Sequence, residues 1–177
     1  MPYELLKRVD VELLHPSLVH RVVEMLSACR VAGFDYWAVS GFRSAVLPVA
    51  CEQDRTRSRF IVTKARPFQS AHHFGLAADF LHGHDVGKPG LQAGWNPEDY
   101  EELGRQAHHH GLIWGGDYKL EGRPHVQLPG FTTPAELKPL EHIYLAARVH
   151  GHDARSRERS RLQTVWMHID AADVTHV

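Results

Sequence analysis

Apolar positions along the chain fall into blocks with two different spacings. Residues 15–33 carry apolar side chains at helical spacing and end in Gly33, which predicts a helix that stops at this glycine. Asn96 before Pro97 predicts the start of a second helix, with the asparagine as its cap and the proline in its first turn. The pattern of this second helix continues to Gly111.

The first of the shorter blocks is rich in β-branched and aromatic residues, which predicts a strand. The first block spans residues 34–44, and its apolar run ends at Gly41. Three further blocks, "LAADFL", "LIW" and "HVQL", have the length of short buried strands. Helices and short strands mixed in this way predict a compact α+β domain.

Beyond Gly130 the pattern becomes helical, so we place one domain at residues 1–132 and a helical extension at residues 133–177. We expect the first extension helix to break near Pro139 and Asp153 to cap the second. The second helix carries an apolar stripe that we expect to pack back on the domain; docking on a partner or on another copy is the alternative. The stripe comprises Leu162, Val165 and Trp166.

Composition narrows the possible functions. The 177 residues carry a formal net charge of -1, which gives no electrostatic case for binding nucleic acid or an anionic membrane. No apolar run approaches the roughly 20 residues of a membrane span, and the N-terminal residues lack the apolar core of a secretory signal. Two cysteines cannot form a disulfide framework or a four-thiolate zinc site. The 15 histidines are several times the usual share, and histidine is the commonest metal ligand.

The segment "QSAHHFGLAADF" places His72 and Asp79 seven residues apart, with Gly75 between them. Seven residues rise about 10.5 Å in a helix, and in a strand they point to opposite faces. Zinc bonds are about 2.0–2.2 Å long, so both side chains reach one ion only if the chain turns between them, which Gly75 permits. Taken alone, this spacing is more often an ordinary turn between two core segments.

His125 supplies a third residue of the same kind. It opens a short strand, and Pro124 restricts Arg123 to extended conformations. A His, Asp, His set without sulfur and with an open fourth position is typical of catalytic zinc sites. The open position would hold a water molecule for attack on a carbonyl group.

Several motifs, in this order along the chain, resemble those of one family. "SAHHFGLAADF" fits the pattern S-x-H-x-x-G-x-A-x-D at every specified position, and "WGGD" followed by "PH" is its usual companion. The earlier "SGFRS" resembles the arginine motif of that family, and Gln53 falls near its accompanying glutamine. Over about residues 13–129 the chain is therefore similar to the zinc peptidases of bacterial cell walls. This group includes VanY-like D-alanyl-D-alanine carboxypeptidases and phage-type L-alanyl-D-glutamate endopeptidases.

The resemblance implies a small antiparallel sheet with flanking helices around a single Zn²⁺ site. It also assigns roles by position, with His72, Asp79 and His125 as the zinc ligands. Arg43 matches the arginine that contacts carboxylate or carbonyl groups of the substrate, a role that suits a fixed guanidinium. Three further residues match positions near the substrate: Gln53, Ser70 and Trp114.

One position departs from the family pattern. The family usually has an acidic residue three positions before the last histidine, where it activates water and protonates the leaving amine, but this chain has Gly122 there. Glu121 is the nearest acid, and a bulge at Gly122 would let Glu121 act as the catalytic base. Alternatively the base has been lost. General acid–base catalysis contributes roughly 10²–10⁴-fold, so the two alternatives predict very different activities.

The resemblance predicts a zinc-dependent hydrolase that cleaves the stem peptide of peptidoglycan, at an L-alanyl-D-glutamate or a D-alanyl bond. The lack of a signal segment favours, by analogy, a phage lysis enzyme (an endolysin) or a virion-associated wall hydrolase. Such a protein is made in the cytoplasm and acts at the bacterial cell wall. The alternative is a catalytically weakened member that serves as a structural or wall-binding component of a phage particle.

Overall fold

The structure of the protein is a computed structural model. Two residues with predicted roles, Gln53 and Glu121, lie outside the described residues, as does the predicted helix cap Asn96. Within the described part of the chain, no helix combines the length and the apolar character needed to cross a membrane. The residues that the structure describes are 4, 6–45, 66–83, 97–118 and 122–174.

A four-stranded antiparallel sheet forms the centre of the fold. Its strands are β1 (Tyr36–Ser40), β2 (Ala77–His82), β3 (Ile113–Trp114) and β4 (His125–Gln127), in the spatial order β1-β2-β4-β3. β2 lies between β1 and β4 and is buried along almost its whole length, which explains why "LAADFL" is apolar except at Asp79. With helices flanking this sheet, the predicted α+β class is confirmed.

Two helices, α1 (Pro16–Val31) and α2 (Glu101–His109), pack against each other beside the sheet. α1 ends just before Gly33, which has a φ of +90° and so terminates the helix as predicted. A 3-10 turn at Pro97–Tyr100 precedes α2, so the α-helix itself begins later than the pattern indicates. The face that α1 turns to the core consists of Leu18, Val22, Met25, Leu26 and Cys29.

Two further helices, α3 (Pro134–Ala146) and α4 (Ala154–Val174), follow the sheet. Pro139 lies inside α3 without interrupting it, so the expected break near this residue was wrong. A capping box between Thr133 and Glu136 secures the start of α3. The stabilisation from burying one helix face then offsets the loss of the one hydrogen bond that a proline cannot donate. That face comprises Leu137, Leu140 and Tyr144.

Helix α4 packs back on the rest of the chain. Asp153 caps it, because Asp153 Oδ1 accepts a hydrogen bond from Ser156 N at 2.8 Å, as predicted. Near the same end, Arg155 forms ion pairs with Asp10 and Glu12 in the N-terminal segment. The predicted packing of the apolar stripe is confirmed, whereas the boundary between domain and extension stays a prediction. The stripe residues that join the same buried cluster as the sheet are Leu162, Val165 and Trp166.

Candidate metal centre

A tight turn before β2 presents His72. The 3-10 segment Ala71–Phe74 follows Ser70, whose hydroxyl accepts a hydrogen bond from His72 N at 3.4 Å. Gly75 ends this segment with a φ of +68°, in the left-handed region that favours glycine. A Cβ at Gly75 would overlap the backbone carbonyl of Leu13, so packing also demands glycine here. The chain therefore turns at Gly75 and enters β2, as the spacing predicts.

Strand pairing brings Asp79 and His125 together. β2 and β4 are antiparallel, and Asp79 lies directly opposite His125. Asp79 Oδ1 is 3.0 Å from His125 Nδ1 and 3.2 Å from His72 Nε2, and these two ring nitrogens are 3.1 Å apart. The three residues each offer a ligand atom within 4.8 Å of the others. The structure thus assembles the predicted set at one point.

Hydrogen bonds behind the two rings decide which nitrogens carry protons. His72 Nδ1 lies 2.6 Å from the Gly41 carbonyl oxygen, which can only accept, so Nδ1 donates and Nε2 keeps its lone pair. Gln127 Nε2 donates to the Phe131 carbonyl at 2.9 Å, which orients Gln127 Oε1 toward His125. His125 Nε2 donates to that oxygen at 2.9 Å, which leaves Nδ1 as the ring nitrogen available to a metal. Both rings therefore turn their other nitrogen, His72 Nε2 and His125 Nδ1, into the same space.

Burial and neighbouring groups keep the cluster in the protonation state that a metal site needs. Burial lowers the pKa of His72 against the opposing effect of Asp79, so the ring is neutral at neutral pH. Burial alone would raise the pKa of Asp79, but His72 and His125 outweigh it and hold this pKa below its usual range. Neutral imidazole and ionised carboxylate are the forms in which these side chains bind metals.

The three donor atoms fit a divalent cation such as Zn²⁺. Two ring nitrogens and a carboxylate oxygen lie 3.0–3.2 Å apart around one point, where a cation can join all three. Tetrahedral zinc with bonds of about 2.1 Å separates its ligands by about 3.4 Å, which is close to these distances. Asp79 Oδ2 is also buried and lacks a hydrogen-bond partner among the described residues. The site opens to solvent at His125 and Arg43, whose side chains are each 23% exposed.

Arg43 and Ser70 lie next to the centre, on the side of the turn. Arg43 N donates to the carbonyl of His72 at 3.1 Å, and its Nη2 is 3.7 Å from the Asp79 carboxylate. Arg43 Nε and Nη1 are buried and have no hydrogen-bond partner in the described part of the chain. Ser70 caps the turn through its hydroxyl group. The substrate-binding roles predicted for both residues stay predictions.

Trp114 holds the segment that leads to His125. Its indole is buried, and the indole N–H donates to the Arg123 carbonyl at 2.6 Å. Two glycines lie against the ring, because a Cβ at Gly104 or at Gly116 would overlap it. Trp114 therefore supports the approach to His125 from within the fold, and its predicted place near the substrate stays a prediction.

The backbone at Gly122 packs directly on Gly115. A Cβ on either glycine would overlap the backbone carbonyl of the other. An acidic side chain does not fit at Gly122 in this conformation, which gives a physical reason for the departure from the family pattern. Asp117, the other nearby carboxylate, pairs instead with His108 Nε2 at 2.7 Å, where both side chains are largely exposed.

Sequence reasoning missed the groups that lie directly behind the ligands. Gln127 follows His125 by two residues in a strand, so both point to one face, and this spacing is a signal that could have been used. The contact with Gly41 had no such signal, because a backbone carbonyl belongs to every residue. His73 is buried and its Nδ1 unpartnered within the described ranges, with a pKa that burial, aided by Arg43, lowers to about 4.

The geometry defines a class of protein: an α+β fold whose antiparallel sheet carries a His, Asp, His metal centre that is open on one side. Residues 11–122 match the family model described as VanY: D-alanyl-D-alanine carboxypeptidase. This match covers more than half of the chain. The chain belongs to the VanY family of peptidases.

Individual proteins are similar over comparable lengths. The peptidoglycan L-alanyl-D-glutamate endopeptidase CwlK of Bacillus subtilis (strain 168) is 32% identical over 124 residues, which covers 65% of this chain and 73% of CwlK. The crystal structure of the L-Ala D-Glu endopeptidase ChiX of Serratia marcescens is similar at 26% identity and a TM-score of 0.42, over 67% of this chain and 83% of ChiX. A mutant of the D,D-pentapeptidase VanY from a VanB-type vancomycin resistance cassette, in complex with Zn(II), is similar at 16% identity and a TM-score of 0.43, over 73% and 78%.

Proposed function

We propose that this protein is a zinc-dependent peptidase that hydrolyses the stem peptide of peptidoglycan. The observation that carries the proposal is the meeting of three ligand atoms, from His72, Asp79 and His125, at one partly open point. Membership of the VanY family supports the substrate class, and so does the relative CwlK, a peptidoglycan endopeptidase. Nitrogen and oxygen donors without sulfur favour zinc in a catalytic role.

The chemistry divides between the ion and the protein. When bound, Zn²⁺ supplies Lewis acidity, which polarises a scissile carbonyl group and lowers the pKa of water. Arg43 orients the substrate through its guanidinium group, which is partly exposed beside the centre and whose planar shape suits a carboxylate of the stem peptide. Burial lowers the pKa of Arg43 and Asp79 opposes that shift, and arginine remains charged at neutral pH.

Glu121 is the proposed catalytic base. It is the acid nearest in sequence to Gly122, the position at which the family pattern has its acidic residue. Support comes from the packing of Gly122 on Gly115, which leaves no space for a side chain at that position and makes a neighbouring acid the natural substitute. Glu121 would accept a proton from the attacking water and return it to the leaving amine.

Release of peptide fragments from purified peptidoglycan tests the enzyme. We expect the wild type to release fragments, a chelator to stop the release and added zinc to restore it. Fragment masses distinguish cleavage of an L-alanyl-D-glutamate bond, the activity of CwlK, from removal of a terminal D-alanine. An absence of zinc-dependent release would contradict the proposed peptidase.

The variant Glu121→Ala tests the base separately. We expect its rate to fall by roughly 10²–10⁴-fold while its zinc content stays that of the wild type, because Glu121 is not a ligand. Asp117→Ala is the matched control, since Asp117 pairs with His108 outside the centre. Full activity of Glu121→Ala would keep the enzyme and remove this residue as its base.

A catalytically weakened wall-binding protein is the second candidate function. The observation that favours it is again Gly122, because the backbone contact with Gly115 excludes a carboxylate from the position where the family pattern has one. This candidate predicts zinc binding and sedimentation with purified peptidoglycan but no release of fragments. Measuring both properties on one preparation separates the two functions.

The biological setting that we propose is a phage lysis enzyme or a virion-associated wall hydrolase. Support comes from the resemblance of the sequence motifs to phage-type endopeptidases. Lysis of bacteria by the purified protein added from outside, compared with a His72→Ala variant, tests this setting. Association through the C-terminal helices also stays a prediction, which light scattering of the purified protein tests.

A further inference from the structure

Helix α4 lies directly behind the turn that presents His72. Trp166 is buried, and its indole N–H donates to the carbonyl of Phe74 at 2.8 Å. Phe74 is the last residue of the 3-10 segment that contains His72. The bond joins positions 92 residues apart in the sequence and is itself buried, so water does not replace it. Loss of the indole donor would leave the Phe74 carbonyl unpaired inside the protein.

A second contact closes the same turn from the side of α1. His15 N donates to the carbonyl of Gly75 at 2.8 Å, and the His15 ring meets the Trp166 ring edge-on at 5.7 Å. His15 Nε2 also lies 3.3 Å from Asp170 Oδ1, one helical turn beyond Trp166 in α4. The carbonyls of Phe74 and Gly75 therefore both accept hydrogen bonds, the first from Trp166 in α4 and the second from His15, which caps α1.

The packing around Gly75 leaves little freedom for this turn. A Cβ at Gly75 would stand 3.1 Å from Trp166 Cζ2 in addition to overlapping the Leu13 carbonyl. On the opposite side of the turn, Arg43 N donates to the His72 carbonyl. Displacement of Trp166 would release the turn on one side only, and the direction of the His72 ring toward the metal centre would change.

We propose that α4 is a positioning element of the metal centre, and that Trp166 is the positioning residue through which it acts. Trp166 fixes the 3-10 turn by its bond to Phe74 and thereby sets the orientation of the His72 ring. The residues of α4 lie beyond those matched by the family model, which end at residue 122. The inference rests on the proposed function only in taking His72, Asp79 and His125 as metal ligands.

Zinc affinity of the full chain, measured by competition with a chromogenic chelator, tests this role. Trp166→Phe removes the donor but keeps an aromatic ring on Gly75. We expect its zinc affinity to fall by about tenfold, the lower end of the cost of substitutions behind metal ligands. Leu162→Ala is the matched control on the same helix: it leaves a cavity and lowers the unfolding free energy, and its zinc affinity should equal that of the wild type.

The possible outcomes separate this inference from the proposed function. A wild type that binds no zinc removes the proposed function and this inference with it. Zinc binding by Trp166→Phe as tight as that of the wild type overturns the inference alone. An equal loss of affinity in Leu162→Ala also overturns it, because the effect would then be one of general stability.

A measurement on the unmodified protein gives an independent test. If Trp166 fixes the turn that presents His72, zinc bound at His72 should in turn alter the surroundings of Trp166. In nuclear magnetic resonance spectra, the indole N–H signal of Trp166 should shift as zinc is added. Trp37 of β1, whose ring lies under the Lys7 ammonium group, serves as the internal reference, and its indole N–H signal should not shift. An unmoved Trp166 signal in a zinc-loaded protein would contradict the coupling.

Discussion

The two sides of the metal centre are held in different ways. His72 and Asp79 come from a buried turn and a central strand, and their side chains are 1% and 6% exposed. His125 comes from the start of the short strand β4, and its side chain is 23% exposed. Backbone hydrogen bonds and packing fix the first pair, whereas the side chain of Gln127 fixes the His125 ring.

This difference shows that, within one site, some ligands contribute to the stability of the fold while another lies where solvent and substrate have access. A ligand within the core is oriented by the same contacts that fold the protein, so its loss affects both metal binding and stability. A ligand at the open side depends on a few polar contacts, so its orientation can be altered with little effect on folding. The more exposed side is also the side from which a substrate can approach.

The largest expected effect separates the two sides directly. His72→Ala and His125→Ala should each weaken zinc binding by more than about 100-fold, because losing a ligand costs more than losing its supporting partner. In the metal-free protein, His72→Ala should lower the unfolding free energy by about 2 kcal/mol or more, since it leaves a cavity and an unpaired Gly41 carbonyl. His125→Ala should lower it by less than about 1 kcal/mol.

Zinc content and urea unfolding of both variants check the predicted losses of zinc binding and of unfolding free energy. Equal destabilisation by the two substitutions would show that the two sides are not held differently. Undiminished zinc in either variant would remove that residue from the ligand set.

A second prediction concerns the glycine contact on the His125 side. Gly122→Asp restores an acid at the position of the family pattern, but its Cβ would overlap the Gly115 carbonyl. We expect the variant to lose about 2 kcal/mol or more of unfolding free energy and to gain no activity. Gly115→Ala should behave alike in urea unfolding, because its Cβ meets the Gly122 carbonyl. A stable Gly122→Asp with higher activity would show that the segment rearranges easily.

A third prediction concerns the support of the exposed ligand. Gln127→Leu removes the acceptor for His125 Nε2 and should weaken zinc binding by about tenfold with little change in the stability of the metal-free protein. Gln127→Glu keeps an acceptor at this position and should retain most of the affinity. Chelator competition measures both variants. Equal losses would mean that the amide contact with Phe131, rather than acceptance from His125, is what counts.

A further prediction concerns the buried side and the pH dependence of stability. Burial, with Arg43 and His72 adding to it, lowers the pKa of His73 to about 4, whereas an unfolded histidine titrates near about 6.5. Between these pH values the unfolded chain binds more protons, so the unfolding free energy must fall as the pH falls through this window. In metal-free His73→Gln, the unfolding free energy measured in urea should fall less steeply as the pH falls. The difference in slope should correspond to at most about one bound proton. An unchanged slope would show that folding does not lower the pKa of His73.

Much of the fold could be predicted because local patterns carry it. The spacing of apolar residues predicted α1, and the glycine at its end behaves as expected. Pro139 was misjudged, because a local rule for proline does not include the burial of the helix face around it. The start of α2 was placed early for a related reason, since a 3-10 turn and an α-helix share the same sequence signals at their first residues.

The sequence by itself determined the kinds of ligand and the turn between two of them. His72, Gly75 and Asp79 carry that information in their types and spacing, because only a turn lets the two side chains meet. Glu121 lies outside the described residues, so its role rests on the sequence and on the packing of its neighbour Gly122.

Only the tertiary structure decided which atoms face the metal and what holds them. The register of β2 on β4 places His125 opposite Asp79, and the Gly41 carbonyl, 31 residues away, sets which nitrogen of His72 faces the centre. The contact of Trp166 with the turn likewise spans 92 residues. Such contacts have no local signature, because they form only when the packed core has brought separate segments of the chain together.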